Sequence, residues 1–169
     1  MAQFQIGSIS TGTLRPEDLL PVFIEALTAL GGTLPADIEC GTHLEYTNLP
    51  SYDKVGVIDD DDGFWRSEEA QWDVDALTDA LQSRCPPFVY FGTLPGDGAD
   101  FGFWPDMDSL HEAMQYVQIF PDEVQADYGV INTNPEYLTL PAEGVIVHVN
   151  DHGNVTVMDM ERNVLWDCV

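Results

Sequence analysis

Basic side chains are nearly missing from this chain. Lys54, Arg15, Arg66, Arg84 and Arg162 face 30 aspartates and glutamates, giving a formal net charge of −25 over 169 residues. Most of the acids therefore have no base to pair with, and the surface as a whole repels nucleic acid and anionic membranes. The five bases are also scattered, so no cluster exists to hold a phosphate-bearing substrate. Cysteine is scarce as well: Cys40, Cys85 and Cys168 form an odd set at wide spacing without a CxxC. That excludes a disulfide framework and predicts reduced thiols in a cytoplasmic protein. No apolar run approaches the ~18 residues of a membrane span, and the opening MAQFQIGSIS has no basic stretch followed by an apolar one. Neither a membrane segment nor a secretory leader is expected. GxSxG, HExxH, GxxxxGK[ST] and a helix-opening GxGxxG are all lacking, so no catalytic residue, metal or cofactor is assigned and the chain does not read as an enzyme.

What the chain does have is a core. Hydrophobic residues make up 44% and aromatics 11%, with four Trp, six Tyr and eight Phe. A disordered acidic tail lacks such content, so one folded domain over 1–169 is expected. The segment LRPEDLLPVFIEALTALGG predicts a helix over about 16–30. Pro16 suits the first helical position, Glu17 and Asp18 suit the amino-terminal dipole, and Gly31-Gly32 end it. Leu19, Phe23, Leu27 and Leu30 share its inner face, while Pro21 should bend it or delay its start. Residues 3–9 read as a short strand, and 33–66 as an irregular excursion with one or two short strands. A second helix is predicted from about Glu68 to Arg84 with Ser67 as N-cap. Its inward set is Trp72, Ala76, Leu77, Ala80 and Leu81, which leaves Asp73, Asp75 and Asp79 outward.

FVYFGTL and ADFGFW flank the turn PGDG, the clearest hairpin signal in the chain (88–104). Phe88, Tyr90, Phe91, Phe101, Phe103 and Trp104 then read as core and cross-strand pairs. Asp106 or Asp108 should cap a third helix reaching about Val117. GVIVHVN, VTVMDM and VLWDCV form a meander over 144–169, joined by turn-rich DHGN and ERN. The expected fold is α+β: a mainly antiparallel sheet, containing both hairpin and meander, with about three helices packed on it.

Three segments, GDGADFGFWP, VNDHGNVTV and TGTLRPEDLLPVFIEAL, resemble small acidic proteins carried by phages and plasmids. The resemblance covers about half of the chain and implies a mobile-element setting. By analogy with other small acidic proteins of that setting, it points to a DNA mimic of the anti-restriction or anti-CRISPR type.

Several constellations read better as structure than as sites. Taking Gly63 as the glycine of a calcium loop puts Glu69 at the twelfth position and Asp60 and Asp62 at the third and fifth. Ile58 then falls at the first position, where it cannot ligate through its side chain, and VGVI before the loop looks like strand rather than helix. His148 and His152 span a strand end and a turn, and Cys40 with His43 has no second pair. Asp97 and Asp100 fill the hairpin turn and its exposed edge.

Charge itself is therefore the functional signal. Duplex DNA carries one charge per ~1.7 Å, so 25 charges match roughly 43 Å of duplex, and a domain of this length spans about 40 Å. One reading is a nucleic-acid-mimicking inhibitor that occupies the basic site of a nucleic-acid-binding defence protein. A second is a general acidic module for a basic protein partner, and a third is high-salt adaptation. Mimicry requires a continuous stripe of carboxylates. The candidates are Asp59, Asp60, Asp61 and Asp62 in the loop, Glu68, Glu69, Asp73, Asp75 and Asp79 on the second helix, and Asp106 and Asp108 at the third. The partner so implied is basic; direct nucleic acid and membrane are not.

Overall fold

The computed structural model describes residues 4–46, 55–58, 63–114, 128–132, 144–150 and 152–168. Its helices and antiparallel strands give the α+β fold that the sequence predicts. The chain divides into two compact units, one formed by Gly7–Cys85 and Tyr90–Trp104, the other by Met1–Ile6, Pro86–Val89 and Pro105–Val169.

The first unit holds β1 (Gly7–Thr11), α1 (Pro16–Ala29), β2 (Leu44–Tyr46), β3 (Val55–Val57), α2 (Glu68–Gln82) and the bulk of β4 (Val89–Leu94) and β5 (Asp97–Pro105). Helix α1 starts at Pro16 and continues through Pro21, so no delayed start occurs. Its end is a two-bond cap. Gly31 donates to the Thr28 carbonyl at 2.9 Å and Gly32 to the Leu27 carbonyl at 2.8 Å, with Gly31 at φ 69, where a side chain would strain the backbone. The inner face buries Leu19, Leu20, Phe23, Ile24 and Leu27. Phe23 meets the sheet edge-on, its ring 5.0 Å from Phe91 and 5.4 Å from Phe101. Phe91 and Phe103 pack 4.9 Å apart, so the hairpin aromatics do supply core.

Strand β5 is central, in the order β1-β5-β4. The hairpin turn is tighter than PGDG suggests. Pro95 and Gly96 alone make it, with Gly96 at φ 93, and Asp97 and Gly98 belong to β5. The amino-terminal strand lies later than expected, because β1 pairs with β5 from Gly7↔Phe103 to Thr11↔Asp100. That pairing also corrects the expectation of one shared sheet. With β1 on the free edge of β5, the hairpin's sheet holds three strands, and the meander belongs to a separate one.

In the second unit, α3 (Met107–Met114) precedes β6 (Tyr128–Asn132), β7 (Gly144–Val149), β8 (Val155–Met158) and β9 (Val164–Cys168). The sheet order is β6-β7-β8-β9, antiparallel throughout. The sequence marks the last three strands but not β6. Val147, Val157, Trp166 and Leu110 are essentially fully buried. The Trp166 indole finds its partner in the Pro87 carbonyl, 2.8 Å away.

The two turns of this meander are built alike. Asn150 Oδ1 accepts from the amides of His152 and Asn154 at 2.9 and 3.0 Å. Asp159 Oδ1 accepts from those of Glu161 and Asn163 at 2.9 and 2.8 Å. The fourth residue of each turn is left-handed, Gly153 at φ 85 in one and Arg162 at φ 66 in the other. Glycine adopts that conformation freely, whereas a side chain costs ~1–2 kcal/mol. Part of this is offset by the greater unfolded-state freedom of glycine. Gly153→Arg is therefore expected to destabilise the protein by up to about 1 kcal/mol in urea melts.

Candidate functional site

Helix α2 carries most of the described candidate acids. Ser67 caps it, its Oγ accepting from the Ala70 amide at 3.3 Å. Glu69 folds back on the same turn. A bond from its own amide and another from Ser67 hold its carboxyl below the usual range, and the helix dipole favours the negative charge of Glu68 and Glu69 there. The packed face is Ala70, Asp73, Val74, Leu77 and Leu81, and α2 lies against α1.

That face corrects the sequence reading at two adjacent positions. Trp72, expected inside, is 61% exposed, and Asp73, expected outside, is 4% exposed. The inversion has a polar cause. Asp73 Oδ2 accepts from the amides of Cys40 at 2.6 Å and Glu39 at 3.1 Å, with Oδ1 3.3 Å from the latter. These amides open a 3-10 turn, Cys40–Thr42, so a carboxylate from α2 caps it from outside. The Cys40 thiol lies beside this carboxylate. Burial, the Asp73 charge and a hydrogen bond to Asp73 push its pKa from 9.0 up to about 12. Folding stability from this thiol is complete below pH 9 and lost as the pH rises towards 12. Burial alone pushes Cys85 to about 11.

Glu68, Glu69, Asp75 and Asp79 do face solvent. Asp75 accepts from Gln71 Nε2 at 3.3 Å. At the near end of this row, Asp37, Glu39, Glu69, Trp72, Asp73 and Ala76 line an open cleft of about 230 Å³. Four of the six are carboxylates and none is basic. Asp37 and Glu39 come from the aperiodic stretch after α1, where no sequence signal singles them out.

The remaining candidates are placed differently. Asp106 caps α3, accepting from the Ser109 amide at 3.0 Å and hydroxyl at 2.6 Å. The Ser109 bonds hold its carboxyl below the usual range. Asp108 is exposed in the first turn of α3. Both belong to the second unit. Asp59, Asp60, Asp61 and Asp62 lie outside the described residues. Val55–Val57 is a strand, as the sequence predicts, where a calcium loop of the EF-hand type would need a helix. The His43 ring stacks on Phe64 at 4.2 Å. Among the described residues, no three His, Cys, Asp or Glu converge closely enough to hold a metal ion, and no helix is long and apolar enough to cross a membrane. No family model, curated protein or solved structure matches the chain.

Proposed function

We propose that this protein is an acidic inhibitor that occupies the nucleic-acid-binding surface of a basic protein, of the restriction or CRISPR type. The observation that carries this reading is the outer face of α2. Glu68, Glu69, Asp75 and Asp79 are exposed there, and the last turn has no base. Such a face is costly to the helix. Asp75 and Asp79 are like charges one turn apart, and Asp79 sits at the negative end of the dipole. Packing does not require these acids, since they touch solvent. A row of fixed negative charge on a chain of −25 supports steering towards a positive groove. The protein then acts by occupancy rather than catalysis.

The test is affinity capture from a bacterial lysate, followed by elution with duplex DNA or RNA. Captured proteins should bind nucleic acid and be released by it. Capture should also fall steeply as salt rises from about 0.05 to about 0.3 M, because screening shortens the reach of the field. Joint replacement of Asp75→Asn and Asp79→Asn should weaken association about tenfold, with stability unchanged to within ~0.5 kcal/mol. Partners that nucleic acid leaves bound would sink the inhibitor reading.

A further inference from the structure

We propose that Trp72 anchors the docking face of α2 and that the cleft beside it receives an arginine side chain of the basic partner; this rests on the reading just given and names the chemistry of its recognition. An indole that is 61% exposed presents a large, rigid, amphipathic ring to solvent beside the buried Asp73. A single exposed apolar residue needs no explanation, but Trp72 is also a wall of the cleft. The cleft's other described polar lining residues, Asp37, Glu39, Glu69 and Asp73, all bring negative charge.

An aromatic face set among carboxylates selects a cation. Of the available cations, guanidinium fits best. It is planar, stacks on an indole and forks onto carboxylates, whereas an ammonium does neither. Metal-like convergence of three ligands does not occur among the described residues. At about 230 Å³, the space falls below the ~300–1,000 Å³ of small-molecule sites and suits one side chain. Tryptophan and arginine are also the residues that most often dominate binding energy at interfaces.

Fluorescence anisotropy of labelled octa-arginine and octa-lysine on the full chain, at about 0.1 M salt, tests this. The wild type should bind octa-arginine at least about fivefold more tightly than octa-lysine. Trp72→Ala should weaken octa-arginine about tenfold, leave octa-lysine within about twofold and so erase the preference. Trp72→Phe should fall between the two. Trp72 is exposed, so unchanged circular dichroism and melting should accompany both variants. Equal loss for both peptides, or no loss of octa-arginine, overturns the proposal. Its failure is separable from that of the inhibitor reading. Arginine selectivity that depends on Trp72, with captured partners indifferent to nucleic acid, would keep the cleft and discard the mimic. Partners displaced by DNA from both wild type and Trp72→Ala alike, with no arginine preference, would do the reverse.

Discussion

Gly102→Ala is expected to cost about 3 kcal/mol, the upper end of what overpacking does, although it adds one methyl group. Gly102 pairs with Ser8 across β1 and β5. A Cβ at this position would lie 2.3 Å from the Gly7 carbonyl oxygen, 2.8 Å from the Gly7 carbonyl carbon and 2.8 Å from Ser8 Cα. All three are backbone atoms, so no side-chain rotation relieves the contact. Either β1 leaves β5 or the two strands separate, and each choice breaks hydrogen bonds at the centre of the sheet. Opposing this, alanine lowers the unfolded chain's entropy and stabilises by ~0.4–1 kcal/mol where it fits. The clash must exceed that gain. Gly98→Ala supplies the control, because the same methyl in the same strand meets nothing within 4 Å. Urea unfolding should show Gly98→Ala within about 0.5 kcal/mol of the wild type and Gly102→Ala far below it. Equal midpoints for the two would show that β1 is not held against β5 as described.

The same glycine shows where sequence reading stops. Signals carried within a few residues are legible: Pro16 and Gly31-Gly32 bound α1, Ser67 opens α2, and the hairpin and meander stand out by alternation and turns. Pairing across distance is not. Nothing local in GSIST announces that it lies against DFGF, and local alternation alone therefore places β1 too early in the chain. The split of hairpin and meander into separate sheets follows from the same long-range choice. The cleft was half legible. Charge and helical spacing single out Glu69 and Asp73, but Asp37 and Glu39 sit in a segment without period or motif. Hydrophobicity predicts Trp72 inward, a rule that fails where a neighbouring carboxylate has amide donors waiting inside.

Those donors make Asp73 the second position of large effect. Asp73→Ala is expected to cost about 3 kcal/mol, since the amides of Glu39 and Cys40 lose their acceptor and a buried unsatisfied donor costs ~1–3 kcal/mol. Asp73→Asn should cost somewhat less, about 2 kcal/mol. One oxygen remains to accept, but the charge is lost and the new NH2 faces a donor. Asp75→Asn and Asp79→Asn, two and six residues further along the same helix, should be near neutral because both are exposed. A triple change at Asp73, Asp75 and Asp79 would therefore confuse unfolding with lost binding, and the pair Asp75 and Asp79 is the proper probe of the charged face. Cys40 gives an independent reading of the same contact. Its thiol is held at about 12 by burial first, then by the Asp73 charge and hydrogen bond. Removing the carboxylate takes away the last two causes and leaves the first. In a chain with Cys85 and Cys168 replaced by alanine, thiolate absorbance should show Cys40 titrating below its wild-type value yet still above 9.0. The alkaline loss of stability should then be smaller and end at a lower pH, because the folded pKa sets the upper edge of a window whose lower edge stays at 9.0. An Asp73→Ala protein as stable as the wild type, with an unmoved Cys40 titration, would mean that the carboxylate does not cap the 3-10 turn.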